Sequence, residues 1–213
     1  MNVDVSGVAD AATLAGTDAT GGEDSAIALN ISSAFVDTDG SESMSISITG
    51  VPSDATLSAG TQETDGSWTL TAEQLTGLEI TPGADDASDF TLNVTATTAE
   101  DGTTALSTIS LDVTVTGVAD TPTVTVNDAS GTEDTAIALD VSAAVTDTGE
   151  SLSLSIGGIP EGATLTDGTN SFTADASTTT ADISGWDLSG LTVTPAANSD
   201  ADFTLNVTAT SSE

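Results

Sequence analysis

The sequence predicts an all-β chain, and three observations predict it. Runs such as Ser45-Ile46-Ser47-Ile48 and Phe90-Thr91-Leu92-Asn93-Val94-Thr95 alternate apolar with polar residues. Period two gives a pleated strand one apolar face and one hydroxyl face. Asp-Gly pairs at Asp39-Gly40, Asp65-Gly66, Asp101-Gly102 and Asp167-Gly168 punctuate the runs with turns. The chain also repeats itself, since residues 5–30 align with 115–140 without a gap.

The repeats place the elements in order. Val5-Ser6-Gly7-Val8-Ala9-Asp10 returns as Val115 to Asp120, where an alternating strand breaks at Gly117 and Pro122 restarts the chain. Gly21-Gly22-Glu23-Asp24-Ser25-Ala26-Ile27-Ala28-Leu29 returns as Gly131 to Leu139, whose dense apolar end reads as a core-side strand. Met44 to Ile48 matches Leu152 to Ile156, each followed by Gly, an apolar residue and Pro (Pro52, Pro160). Asp89 to Thr97 recurs unchanged as Asp202 to Thr210.

Two differences stand out. Asp37-Thr38-Asp39-Gly40-Ser41-Glu42 shrinks to Asp147-Thr148-Gly149-Glu150, and the second copy carries a longer insert around Thr173 to Trp186. Trp68 and Trp186 do not align, and each is expected to plug its own core.

The first copy closes with a strand at Thr108 to Thr116. The second stops at Glu213, the partner of Glu100, so its last strand is expected to be absent, with residues 2–10 resembling that strand placed at the front. The second copy would then have an unpaired edge. Residues 2–9 of a neighbouring chain could fill it, giving head-to-tail self-association by strand addition.

A period of about 110 residues with roughly seven short strands is the size of an immunoglobulin-like sandwich. The expected organisation is two such β-sandwiches end to end. Residues 1–10 are the end of a preceding repeat or linker strand, 11–119 the first sandwich, and 120–213 the second, lacking its last strand.

Composition narrows the function. There is no Lys, Arg or His, and 34 Asp plus Glu give a net charge of −34. Nucleic acid and anionic membrane surfaces are held by cationic side chains, so neither is an expected partner. Hydrophobic residues make up 37% of the chain, enough for a core. With neither Cys nor His, zinc, copper and iron–sulfur sites lack their usual ligands. The oxygen ligands that remain suit Ca²⁺. Most nucleophile and base residues are missing too, so no enzyme is expected. Aromatic residues are 3%, which leaves little for a sugar-stacking surface.

The repeated phrases, Gly-Val-Ala-Asp-Thr-Pro (117–122), Gly-Thr-Glu-Asp-Thr-Ala-Ile (131–137) and Phe-Thr-Leu-Asn-Val-Thr-Ala-Thr (90–97), resemble the tandem cadherin-like and immunoglobulin-like extender repeats of giant bacterial adhesins, secreted by type I machinery. The resemblance covers nearly the whole chain. It implies Ca²⁺ between successive domains. Glu23 looks like the early Glu of a cadherin site, and Asp85, Asp86 and Asp89 stand in the place before the Phe-X-Leu-X-Val strand. Asp120 looks like the linker acid, and Asp147 is what remains of an Asp-X-Asp. Asp10, Asp37, Asp39 and Glu42 would face a joint to a preceding domain. One or two ions per joint are expected. Asp24 and Asp134 read equally as ligands or turn caps.

The implied function is a spacer of an extracellular, cell-surface adhesin, stiffened by Ca²⁺ and partnered by neighbouring repeats of the same protein. The alternative is a module that itself binds carbohydrate or protein.

Overall fold

A computed structural model describes residues 1–147 and 149–213. The chain is all-β and divides into two compact units, Met1–Val118 and Ala119–Glu213, each with its own core. No helix is long and apolar enough to cross a membrane among the described residues.

Unit 1 contains β1 (Thr13–Gly16), β2 (Ala19–Gly22), β3 (Ile27–Ala28), β4 (Ile31–Ala34), β5 (Ser43–Thr49), β6 (Thr56–Leu57), β7 (Thr61–Gln62), β8 (Trp68–Leu70), β9 (Glu79–Thr81), β10 (Phe90–Glu100) and β11 (Thr103–Thr116). A six-stranded sheet runs β2-β11-β10-β5-β8-β7, a three-stranded sheet runs β3-β9-β6, and β1 pairs with β4. The period-two runs put Ile46, Ile48, Leu92, Val94 and Val113 in the core at 0% exposure, while their hydroxyl neighbours face out.

The hairpin β10–β11 is longer than the sequence suggests. Its closing strand begins at Thr103, not at Thr108, with Glu100 paired to Thr103. Asp101 and Gly102 take φ of 44° and 82°. Two consecutive left-handed residues make the tight turn whose twist suits a right-twisted ribbon, so pairing starts at once. β11 also pairs in parallel with β2, Val113 to Ala19 through Thr116 to Gly22. It therefore lies between β10 and β2.

Unit 2 contains β12 (Thr123–Asn127), β13 (Ile137–Ala138), β14 (Asp140–Ala144), β15 (Ser151–Gly157), β16 (Thr164–Thr166), β17 (Ser171–Thr173), β18 (Ala181–Asp182), β19 (Thr192–Thr194) and β20 (Asn206–Ser212). Its sheets run β12-β14, β13-β19-β16-β17 and β18-β15-β20. The long insert supplies β18, which pairs with β15 as β8 pairs with β5. Ala181 opposes Ile156 where Trp68 opposes Ile48. This explains why the tryptophans do not align: Trp68 is 8% exposed in the first core, and Trp186 packs against the second from beyond β18.

Identical sequence takes different states in the two units. β10 starts at Phe90, but its copy β20 starts only at Asn206, and 203–205 form no strand. Residues 19–22 (Ala-Thr-Gly-Gly) are a strand, yet the similar 129–132 (Ala-Ser-Gly-Thr) are not. In unit 1 both stretches are paired by β11; unit 2 has no strand in that position among the described residues. Leu92 and Val94 are fully buried, whereas Leu205 and Val207 are half-buried. Residues 2–10, which resemble the closing strand, form no strand either.

Truncation of a buried Leu to Ala costs about 2–5 kcal/mol through lost transfer energy and the cavity left behind. Leu92→Ala should fall in that range by denaturant unfolding. Leu205→Ala, at the same place in an identical phrase, should cost clearly less because its side chain is already part-solvated.

Candidate metal centre

Three carboxylates converge within unit 2. Asp120 lies just before β12, and Asp147 and Glu150 lie in the connection between β14 and β15. One oxygen from each falls within 4.8 Å of the others. The backbone holds them there. Glu150, 8% exposed, accepts the Asp120 amide on Oε1 at 2.5 Å and the Thr146 amide on Oε2 at 3.1 Å. Ser211 on β20 donates its hydroxyl to the Asp120 carbonyl. Asp147 Oδ1 accepts the amides of Gly149 at 2.5 Å and Glu150 at 3.0 Å. Asp147 Oδ2 is buried with no hydrogen-bond partner among the described residues.

Like charges this close destabilise one another. With no cationic side chain in the sequence, the relief must come from backbone amides, from protonation or from a bound cation. All-oxygen, carboxylate-rich coordination is the chemistry of a hard divalent ion. The donor set and the buried unpartnered oxygen fit such an ion, so the cluster could hold a metal.

The backbone ties recur in unit 1, although Asp10, Asp37, Asp39 and Glu42 form no such cluster of three among the described residues. The Asp10 amide donates to Glu42 Oε1 at 2.5 Å, as Asp120 does to Glu150. Thr98 donates its hydroxyl to the Asp10 carbonyl, as Ser211 does to that of Asp120. Glu42 Oε2 is buried without a hydrogen-bond partner among the described residues, whereas Glu150 Oε2 takes the Thr146 amide. Asp37 Oδ1 accepts the Asp39 amide at 2.9 Å. Asp39 Oδ1 accepts the Ser41 hydroxyl and amide, which hold its carboxyl below the usual range.

The remaining predicted residues lie at the other end of unit 1. Glu23 is 2% exposed, and its Oε1 accepts the Val118 amide at 2.9 Å. Asp89 Oδ1 accepts the Val115 amide at 2.8 Å, so this carboxylate fastens the end of β11. Asp86 accepts from Ser88, whose hydroxyl and amide lower its pKa. Asp85, in left-handed backbone at φ 54°, donates its amide to Asp24 Oδ1 at 3.2 Å. Unit 2 repeats this tie from the Asn198 amide to Asp134 Oδ1 at 2.9 Å. Asp24 and Asp134 thus each cross-link two loops through a backbone amide.

One member of the cluster was not among the candidates. Glu150 aligns with Glu42, and that alignment was the available signal.

No family model, curated protein or solved structure matches the chain.

Hydrogen bonds also hold turn aspartates in the ionised form. Asp167 accepts the amide and side chain of Asn170 and the amides of Asp187 and Thr169, which hold its carboxyl well below the ordinary 3.8. A depressed folded pKa contributes stability that is complete above about 3.8 and is lost as pH falls through the folded value. Carboxyl NMR titration should show Asp167 as the last aspartate to protonate. Removing the Asn170 side chain with Asn170→Ala should move its midpoint upward.

Proposed function

We infer that the chain is a structural extender of an extracellular adhesin: two immunoglobulin-like or cadherin-like sandwiches in series, stiffened by Ca²⁺ at the joints between successive modules. The observation that carries this reading is Asp147 Oδ2, buried and unpartnered among the described residues, beside Asp120 and Glu150 in a chain with no cationic side chain. Glu42 Oε2, buried in unit 1 without a hydrogen-bond partner among the described residues, is a second carboxylate oxygen left unanswered.

Asp120, Asp147 and Glu150 would hold the ion in unit 2, and Asp10, Asp37, Asp39 and Glu42 would serve its counterpart in unit 1. Glu23, Asp85, Asp86 and Asp89 would face the following joint. The ion supplies charge neutralisation and cross-linking. The chain's part is to present oxygens already fixed by backbone amides, which lowers the ordering cost of binding. The cell-surface location and the family follow from the repeated phrases and not from the geometry. A sugar-binding role draws no support from Trp68, which lies in the core.

Calcium that binds only the folded state raises the melting temperature by mass action. Calorimetric melting and small-angle scattering, each in calcium and in chelator, should show a higher melting temperature and a longer, stiffer particle with the ion. Equal curves under both conditions would refute the reading. Asp147→Asn should weaken calcium binding by roughly ten-fold or more, since ligand charge sets affinity at such sites. Titration calorimetry reads this directly.

A further inference from the structure

The second core is open where the first is closed. In unit 1, β11 buries Leu111, Val113 and Val115 at 1%, 0% and 5% exposure between β10 and β2. In unit 2 the corresponding place is a groove of about 510 Å³, lined by apolar residues that include Ile137, Leu139, Ile156, Phe203, Leu205 and Val207. Ile137 and Leu139 are half-buried, while their counterparts Ile27 and Leu29 are 3% exposed. The edge of β20 that faces the groove has no strand partner among the described residues, because β20 pairs only with β15. The groove therefore has no strand to fill it with apolar side chains or to satisfy its backbone edge among the described residues.

The chain also carries a segment with the opposite deficit. Met1-Asn2-Val3-Asp4-Val5-Ser6 aligns residue for residue with Leu111-Asp112-Val113-Thr114-Val115-Thr116, continuing into the shared Gly-Val-Ala-Asp. It alternates apolar and polar residues as β11 does, yet it forms no strand. Val3 and Val5 are 71% and 88% exposed. From Gly7 onward the backbone is fastened to unit 1, by the Gly7 amide to Asp101 at 2.9 Å and the Ala9 amide to Thr103 at 2.7 Å. Met1–Ser6 thus projects from an anchored base.

We propose that Met1–Ser6 of one chain enters the groove of unit 2 in a second copy and completes its sheet as β11 completes that of unit 1. The register follows from unit 1. Val113 opposes Phe90 and Leu111 opposes Leu92, so Val3 opposes Phe203 and Met1 opposes Leu205. The parallel side places Val3 beside Ala129 and Val5 beside Gly131, as Val113 lies beside Ala19 and Val115 beside Gly21. Met1, Val3 and Val5 point into the core. Asn2, Asp4 and Ser6 face water, as their exposed counterparts do. Two carboxylates wait for the incoming amides. Asp89 accepts from Val115 and Glu23 from Val118, so Asp202 and Glu133, both exposed, accept from Val5 and Val8.

The contact is heterologous, joining the front of one chain to the back of another, and such contacts grow open head-to-tail arrays. Backbone pairing at a free edge gives the affinity and alternate side chains give the register. Opposing it is the −34 charge of each copy. Salt weakens that repulsion, because the screening length is about 8 Å at physiological ionic strength.

Sedimentation velocity on the 213-residue chain, across a wide concentration range in chelator and physiological salt, tests this without reference to calcium. The mean mass should rise with concentration, and more steeply at higher salt. Val3→Asp with Val5→Asp, on residues exposed in the single chain, should leave circular dichroism unchanged and abolish the rise. A wild-type chain that stays monomeric throughout overturns the proposal. So does a double variant that associates as the wild type does, which would point to direct β20-to-β20 pairing. The sequence has no Cys, so Val3→Cys chains mixed with Phe203→Cys chains report the register. A disulfide between the two confirms it, and failure to form one while wild type associates overturns it.

Discussion

Every carboxylate in this chain has to be answered without a cationic side chain. That constraint explains more of the structure than any other. The common solution is a short loop in which Asp accepts from the residue two positions on. Asp39, Asp65, Asp86, Asp175, Asp182 and Asp187 do this with Ser41, Ser67, Ser88, Ser177, Ser184 and Ser189. An Asx turn of this kind needs only a backbone amide, and a serine hydroxyl adds a second bond. Acidity and turn formation are therefore one property here. The chain can be strongly anionic because its anions close its loops.

Where local donors run out, the carboxylates reach further. Glu23, Asp89, Glu42 and Glu150 each receive an amide from a distant segment. Glu23 and Glu150 are buried as well. Burying a charge is costly unless it is fully hydrogen-bonded or paired. Glu150 has an amide on each oxygen, while Asp147 and Glu42 each retain one buried oxygen with none. A divalent cation would answer that unmet charge, and the proposed extender role rests there and not on acidity in general.

Much of this was legible in the sequence, and the misses share a cause. Period two fixed which face of Ser45–Ile48 and Phe90–Thr95 is buried, because that depends only on the pleat. The Asp-Gly pairs marked turns because the left-handed backbone is a local preference. Pairing is not local. Nothing in Ala181-Asp182 announces a strand; it becomes one because Ile156 and Ser155 lie opposite. The start of β11 at Thr103 depends on how tightly Asp101 and Gly102 turn. The role of Asp89 depends on an amide twenty-six residues away. Glu150 was visible only through its alignment with Glu42, since a single acid in an acidic chain carries little information.

The repeated phrase Asp-Phe-Thr-Leu-Asn-Val-Thr-Ala-Thr separates local from non-local causes in one molecule. Its residues are identical in both copies, so propensity and pattern are held constant. What differs is the strand alongside. With β11 present, pairing begins at Phe90 and Leu92 is sealed; with no strand there, pairing begins at Asn206 and Leu205 stays half-open. Strand state at 203–205 therefore belongs to the neighbour as much as to the residues, as the context dependence of β propensity requires. The same reasoning applies to the end of the module. The sequence assigns the strand at Thr108 to Thr116 to the first module, and in unit 1 that strand closes the core and is fastened by Asp89, with Glu23 holding Val118 just beyond it. The cooperative unit thus includes its following linker strand. A carboxylate that grips this strand reports on whether the sheet beneath it is complete.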